Sequence, residues 1–352
     1  MAGAECRSNA GRSHTYGASR VSLLMTAPVK HVWLALLVVY VVWGSTYFGI
    51  KVAVETIPPL LAAGSRFLVA GLLLAAVLAL RGRSLRVTRA ELLASGVAGV
   101  LLLSLGVGLV HVAETRIDSS VAAMIAGTVP LQIIALRLLA GESPARATRL
   151  STLAGLFGLL LVVAPGLGAG STALGLAIMI SATMSWTLGS FLSKRLALPS
   201  DPFVASVYEM GLGGAFLMMG AAAFGEYADL GSSTFALDSV LAWVYLVVMG
   251  SLVGFTAYAW LLGVAPISLV VTHQYVNPLV AIALGMAFLG ERPSPWSLVG
   301  AGLVIGAVYV AIKSEFPRAP SKSSRDAAAE RPSGIYPRSE AALAGSDRRG
   351  AT

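Results

Sequence analysis

A series of ten long apolar segments, joined by short polar connections, limits what this chain can fold into. About 20 helical residues cross a hydrocarbon core about 30 Å thick, because an α-helix rises about 1.5 Å per residue. The segments lie near residues 32–53, 59–80, 92–112, 118–138, 149–166, 172–194, 203–224, 239–261, 267–289 and 294–313. Charged residues are only 12% of the 352, against about 25% in soluble proteins. The sequence therefore predicts an all-α polytopic membrane protein with ten transmembrane helices.

An internal repeat relates the first five segments to the last five. A shift of 143 residues matches Trp43 with Trp186, Phe48 with Phe191, Lys51 with Lys194 and Pro59 with Pro202. At nearly the same offset, Pro130-Leu131 corresponds to Pro278-Leu279 and Gly141-Glu142 to Gly290-Glu291. Five segments are an odd number, so the two halves must cross the membrane in opposite directions. The pattern predicts two inverted five-helix repeats, an architecture of secondary transporters that bind substrate between the halves.

The positions of the basic residues predict the orientation of the chain. Most of the 25 lysines and arginines lie in the N-terminal segment, after segments 2, 4 and 6, and in the C-terminal tail. The positive-inside rule then places both termini in the cytoplasm and Glu226–Asp238 outside. The net charge of +8 thus reflects topology, and nucleic-acid binding is not predicted. The predicted units are a disordered segment 1–30, a first repeat 31–166, a second repeat 167–313 and a disordered cytoplasmic tail 314–352.

Sequence features weigh against metal and nucleotide chemistry. The single cysteine, Cys6, excludes an internal disulfide and a multi-cysteine metal site. His111 and Glu114 have the spacing of metal ligands, but two ligands without a third favour an interfacial histidine instead. A phosphate-binding Gly-Lys-Ser/Thr loop is absent from the sequence. We therefore predict no metal and no cofactor. We also expect Met25, directly before the first segment, to be the native start.

Three stretches of the sequence resemble the EamA family of the drug/metabolite transporter superfamily. They read WGSTYFGIKVAVETIPPLLAAGSRF, AGTVPLQIIALRLLAGE and THQYVNPLVAIALGMAFLGERPSPWSLVGAGLVIGAVYV. The resemblance covers about residues 32–313. It implies ten helices in inverted repeats, an inner-membrane location and the export or exchange of small metabolites. The first repeat departs from the family pattern with Ser143 after Gly141-Glu142, where the second repeat has Arg292.

The ninth segment supplies the polar side chains of the predicted substrate site. Its stretch Thr272–Pro278 is the most polar within any segment, and Pro278 frees a backbone carbonyl that needs a partner or a wet cavity. Thr128, Pro130 and Gln132 are the counterparts in the fourth segment. The predicted site residues are Trp43, Tyr47, Trp186, Tyr258, His273, Gln274 and Asn277. Helix–helix hydrogen bonding and aromatic packing remain alternative roles for these side chains.

Arg66 and Glu209 are ionisable residues within segments, where a charge costs about 2.5–3.5 kcal/mol on insertion scales. The repeat relates them, but their depths of about 10 and 9 Å from opposite faces leave about 11 Å between them. An ion pair is therefore not expected. Arg66 is predicted to be structural, with a side chain that reaches the outer interface. Glu209, with His273, is the candidate for proton coupling, and a hydrogen-bonded structural role is its alternative.

The predicted function is that of a secondary transporter, not an enzyme. It would move a small metabolite, an amino acid or similar organic solute, in the direction of export by alternating access. A polytopic enzyme acting on lipid-like substrates is the alternative and would need a catalytic cluster near one membrane face. A channel is disfavoured because charged rings are absent from the sequence. The predicted partners are the small-molecule substrate and the lipid bilayer, and a homodimer is not required.

Overall fold

The computed structural model describes residues 28–117, 119–163, 172–228, 230–231, 235–277, 279–280 and 295–315. Within these ranges the chain forms helices and no strand, as the apolar segments predict. Cys6, Met25, Ser232, Pro278, Gly290-Glu291-Arg292 and the tail after residue 315 lie outside them. The helices are α1 (Val29–Ala53), α2 (Pro59–Leu80), α3 (Arg89–Glu114), α4 (Ser119–Ala126), α5 (Val129–Leu139), α6 (Arg146–Val163), α7 (Ala173–Ser193), α8 (Pro202–Ala223), α9 (Leu237–Val264), α10 (Ile267–Val270) and α11 (Pro295–Glu315). In this part of the chain six helices are long and apolar enough to cross a membrane, namely α1, α2, α3, α7, α8 and α9.

Helices α2 and α8 begin and end with the same residue types. Pro59 and Pro202 each stand in the first helical turn, where the missing N–H would have no intrahelical partner. Gly82 and Gly225 follow the two helices with φ of 70° and 78°, a left-handed conformation that favours glycine. Both pairs are related by the 143-residue shift. The repeat in sequence is thus a repeat in local structure for these two helices.

Hydrogen bonds at both ends show that α2 and α8 pack antiparallel. At the start of α2, the backbone N–H groups of Leu60 and Leu61 donate to the Glu226 carboxylate at 3.1 and 2.8 Å. Glu226 follows the end of α8. Beyond the end of α2, Arg83 lies 3.2 Å from the carboxylate of Asp201, the N-cap residue of α8. Helices α2 and α8, which the 143-residue shift relates, therefore run in opposite directions along each other.

Two π-helical segments occur at corresponding places in α3 and α9. They span Val100–Gly108 and Leu246–Phe255. Helix α1 packs on the π-helical part of α9, and α7 packs on that of α3. A π-helical turn holds an extra residue and recurs at functional sites. Uninterrupted apolar sequence gives no signal for either segment, so sequence analysis did not predict them.

The fourth and ninth apolar segments are both broken. The fourth is interrupted at residues 127–128 between α4 and α5, and the ninth at residues 271–272 after α10, before helical residues 273–277. A threonine hydroxyl satisfies a carbonyl at each break. Thr128 Oγ1 donates to the Ile125 carbonyl at 2.7 Å, and Thr272 Oγ1 donates to the Leu269 carbonyl at 2.6 Å. At each break a threonine hydroxyl thus supplies a hydrogen bond to a carbonyl near the end of the preceding helix.

Close glycine contacts join α3 to α8 and α6 to α11. A Cβ atom on Gly99 would lie 2.3 Å from the Glu209 carbonyl oxygen, so α3 and α8 approach backbone to backbone. Gly302 and Gly306 of α11 have the GxxxG spacing of close helix packing, but no described atom lies within 4 Å of a Cβ on either. Gly158 of α6 makes the close contact with α11 instead.

Gly99→Ala is expected to lower the thermal unfolding temperature of the detergent-solubilised protein. The added methyl group meets backbone atoms that cannot move aside, and overpacking costs about 1–3 kcal/mol. Gly211→Ala is the matched control on α8, because among the described atoms nothing lies within 4 Å of its Cβ position. Equal unfolding temperatures for the two variants would contradict the contact.

Candidate functional site

A cavity lies between α1, α2, α3, α4, α5, α7, α9 and residues 273–277. The space open to the centre of a water molecule is about 80 Å³, which is room for several waters. The wall is mostly apolar. Five of the seven predicted site residues line it, namely Trp43, Tyr47, Trp186, Gln274 and Asn277. Tertiary packing therefore places most of the predicted residues around one cavity.

The other two predicted residues, Tyr258 and His273, stand behind the wall in an aromatic cluster. Trp43 is at the centre of the cluster. Its ring centroid lies 5.3 Å from that of Trp186, 4.9 Å from that of Tyr258 and 5.0 Å from that of His273. Aromatic pairs at such distances each contribute about 0.5–1.5 kcal/mol beyond their buried area. The two repeat-related tryptophans thus meet within one rigid cluster.

Each tryptophan packs on a glycine from the π-helical segment of the opposite half. A Cβ on Gly254 would lie 2.4 Å from Trp43 Nε1, and one on Gly106 would lie 3.2 Å from Trp186 Cε3. Trp43 Nε1 also donates to the Gly250 carbonyl at 3.1 Å. Only a residue without a side chain leaves room for the indole at Gly254. The positions of the tryptophans therefore depend on α3 and α9.

Hydrogen bonds hold Tyr258 and His273 in fixed orientations. The Tyr258 hydroxyl lies 2.6 Å from Ser190 Oγ, which itself donates to the Trp186 carbonyl at 2.7 Å. His273 Nδ1 lies 2.8 Å from the Val270 carbonyl. Because a carbonyl only accepts, Nδ1 carries the proton and Nε2 is an acceptor. Nε2 is buried and has no hydrogen-bond partner among the described residues.

Gln274 and Asn277 present polar atoms that the described protein does not satisfy. Both side chains are buried and line the cavity. Gln274 Oε1 and Asn277 Oδ1 have no hydrogen-bond partner in the part of the chain that the structure describes. A buried acceptor left unpaired costs about 1–3 kcal/mol. These amides are therefore suited to receive hydrogen bonds from a bound solute or from water.

The polar residues of the fourth segment form a satisfied network instead. The Gln132 amide donates to Thr128 Oγ1 at 2.9 Å and to Thr183 Oγ1 at 3.2 Å, and its carbonyl accepts from Thr187 at 2.7 Å. Gln132 therefore forms hydrogen bonds between helices, which is the alternative role for polar side chains in these segments. The network joins α5 to α7, and its member Thr183 also lines the cavity.

Two predictions about ionisable residues are wrong. Arg66 does not reach the outer interface. Its side chain is buried, with 3% of the residue exposed, and it lines the cavity. His111 is not interfacial either, because it is fully buried, with Nδ1 2.9 Å from the Val107 carbonyl. Nearby, Lys51 Nζ donates to the Glu114 backbone carbonyl at 2.8 Å. The described residues contain no group of three or more potential metal ligands.

Glu142 links the two halves at the ends of α5 and α7. Its carboxylate accepts from Arg137 Nε at 2.8 Å and pairs with Arg195. Partial burial raises the pKa of the Glu142 carboxyl, but the hydrogen bonds and charges of Arg137 and Arg195 outweigh this, so the net pKa lies below the ordinary value. Glu142 therefore stays ionised at neutral pH. The sequence did not mark Glu142 as functional, because Ser143 beside it departs from the family pattern.

Comparisons with known proteins show the family to which the chain is similar. A profile of the EamA-like transporter family matches residues 31–164 and again residues 173–313. The inner membrane transporter YedA of Escherichia coli K12 is 36% identical over 277 residues, which cover 78% of this chain and 89% of that protein. A "probable amino-acid metabolite efflux pump" of Salmonella typhimurium is 27% identical over 300 residues, 80% of this chain and 94% of the pump. A solved crystal structure at 20% identity has a TM-score of 0.65 over 82% of this chain and 98% of its own, which shows the fold alone.

The apolar helices, the internal aromatic cavity and these relatives define a multi-pass inner-membrane transporter. The relatives named as transporters and pumps point away from an enzyme. The chain belongs to the EamA-like transporter family, and the family unit occurs twice in it.

Proposed function

We propose that this protein is a secondary transporter that exports a small organic metabolite, such as an amino acid, by alternating access. The observation that carries the proposal is the aromatic cavity, where Trp43 of one half meets Trp186 of the other. Its aromatic walls suit an apolar part of the solute, and Gln274 and Asn277 suit a polar part. The name of the Salmonella relative supports an amino-acid metabolite.

We further propose ten transmembrane helices in two inverted repeats, 31–166 and 167–313. The antiparallel packing of α2 and α8 supports the inversion, because these helices are equivalent in the repeat. The crossed contacts of α1 with α9 and of α7 with α3 support it as well. Inverted halves can exchange conformations, so that each opens the cavity to one side of the membrane in turn. The Glu142 bridge would hold one end closed in the state described here.

Transported metabolites can be identified by mass spectrometry of the medium from deletion and overexpression cells. We expect overexpression to raise, and deletion to lower, the external level of at least one small solute. Cells that express Arg86→Ala are the matched control, since Arg86 is exposed and far from the cavity wall. Identical extracellular profiles in deletion, wild-type and overexpression cells would refute transport in the export direction.

The proposed orientation places both termini in the cytoplasm. On a Cys6→Ser background, a cysteine at exposed Ala228 is expected to react with a membrane-impermeant thiol reagent in intact cells. A cysteine at exposed Ser84 is expected to react only after the cells are permeabilised. The opposite pattern would reverse the topology.

Glu209 remains the proposed coupling residue, with His273 as second candidate. Glu209 is 2% exposed, and its Oε2 has no partner among the described residues. Glu209 does not line the cavity, so we do not propose that its carboxylate binds the solute. Glu209→Gln is expected to abolish pH-driven transport in proteoliposomes while solute exchange continues. Equal loss of both activities, at normal expression, would indicate a structural role instead.

A further inference from the structure

Arg66 is a buried cation on the cavity wall. Its Nε donates to Ser251 Oγ at 2.8 Å, and its guanidinium carbon lies 4.9 Å from the centre of the Phe67 ring. Nη1 is buried and has no hydrogen-bond partner among the described residues. No carboxylate in the described part of the chain lies within ion-pair distance of Arg66. Its hydrogen-bond partner among the described residues is thus a neutral hydroxyl.

An unpaired guanidinium at this depth is costly to maintain. Moving a charge out of water costs several kcal/mol unless a counter-charge and hydrogen bonds replace the lost solvation. Structural arginines in membranes satisfy this need with a carboxylate, with backbone carbonyls or by reaching the interface. Arg66 has one hydrogen bond instead, from Nε to the Ser251 hydroxyl, and it lines the cavity. Its planar guanidinium matches the two oxygens of a carboxylate.

We propose that Arg66 binds a carboxylate group of the transported solute, so that the substrate class is small organic carboxylates. The inference rests on the proposed function. One guanidinium balances one carboxylate, whereas a phosphate dianion would leave a second charge without a partner in this mostly apolar wall. Gln274 and Asn277 lie on the same wall with open acceptor oxygens, so they can accept from an ammonium or hydroxyl group of the same solute.

Three compounds with the same side chain distinguish a contact to the carboxylate from a contact to the ammonium group. Leucine carries a carboxylate and an ammonium group, 4-methyl-2-oxopentanoate only the carboxylate, and leucinamide only the ammonium group. Binding to the purified full-length protein is measured by quenching of tryptophan fluorescence, since Trp43 and Trp186 line the cavity. We expect leucine and the oxo acid to bind, and leucinamide to bind at least tenfold more weakly. Leucinamide binding as tightly as leucine would overturn the inference without any variant being made.

Arg66→Gln should weaken binding of the oxo acid at least tenfold, and Arg66→Lys should restore part of it because it keeps the charge. Arg86→Gln is the control that removes an exposed arginine from outside the cavity. Unchanged binding of the oxo acid to Arg66→Gln would also overturn the inference. Export of metabolites that all lack a carboxylate would overturn it too, while the transporter proposal stands. Carboxylate binding without any export would instead refute the proposed transport.

Discussion

Gly254→Ala is expected to weaken solute binding by roughly 5- to 150-fold while the protein still reaches the membrane. The new methyl carbon would lie 2.4 Å from Trp43 Nε1, a distance that van der Waals contact does not allow. Trp43 cannot move aside freely, because its ring packs against Trp186, Tyr258 and His273. Overpacking costs about 1–3 kcal/mol. If that cost falls on the binding-competent arrangement, it gives the stated loss of affinity.

Gly263→Ala on the same helix is the matched control. No described atom lies within 4 Å of a Cβ at Gly263, so the same change of residue type meets open space. Wild-type binding is expected for this variant. The measurement is the Kd of a transported solute by tryptophan fluorescence in detergent. Similar Kd values for the two variants would show that the position of Trp43 does not matter for binding.

Asn277→Ala is expected to reduce solute affinity by a similar factor. The Asn277 Oδ1 atom is buried on the cavity wall and has no partner among the described residues. If a bound solute donates to it, its removal leaves that donor unpaired in a dry site, which costs about 1–3 kcal/mol. This corresponds to roughly 5- to 150-fold weaker binding. Transport by Asn277→Ala in proteoliposomes, at matched protein density, is the measurement.

Gln274→Ala provides the companion measurement, because Gln274 Oε1 is also buried without a hydrogen-bond partner among the described residues. Gln132→Ala is the comparison at a residue that does not itself line the cavity, where the amide is already bonded to three threonines. It should lower the thermal unfolding temperature more than it lowers affinity. If Asn277→Ala and Gln274→Ala both transport at the wild-type rate, the polar stretch of the ninth segment is structural and the site lies elsewhere.

Much of the candidate site was predictable because the repeat and the proline break mark particular residues. Trp43 and Trp186 stand at matching positions of the repeat, and the structure brings them into contact. Gln274 and Asn277 are polar side chains in an apolar segment, and both line the cavity. Arg66 was assigned the wrong surroundings. Its distance along the segment gave its depth, but it did not give the direction in which its side chain points.

The sequence by itself determined the class of the protein, the order of its apolar segments and the equivalence of its halves. These properties depend on segment length, composition and period, which are local quantities. Only the tertiary structure decided that Arg66 and His111 face inward, that Gly254 receives an indole and that α3 and α9 turn π-helical. The inward side chains and the indole contact depend on how a helix is rotated about its axis relative to its neighbours. In a segment that is apolar on every side no amphipathic face fixes that rotation, so packing between helices sets it.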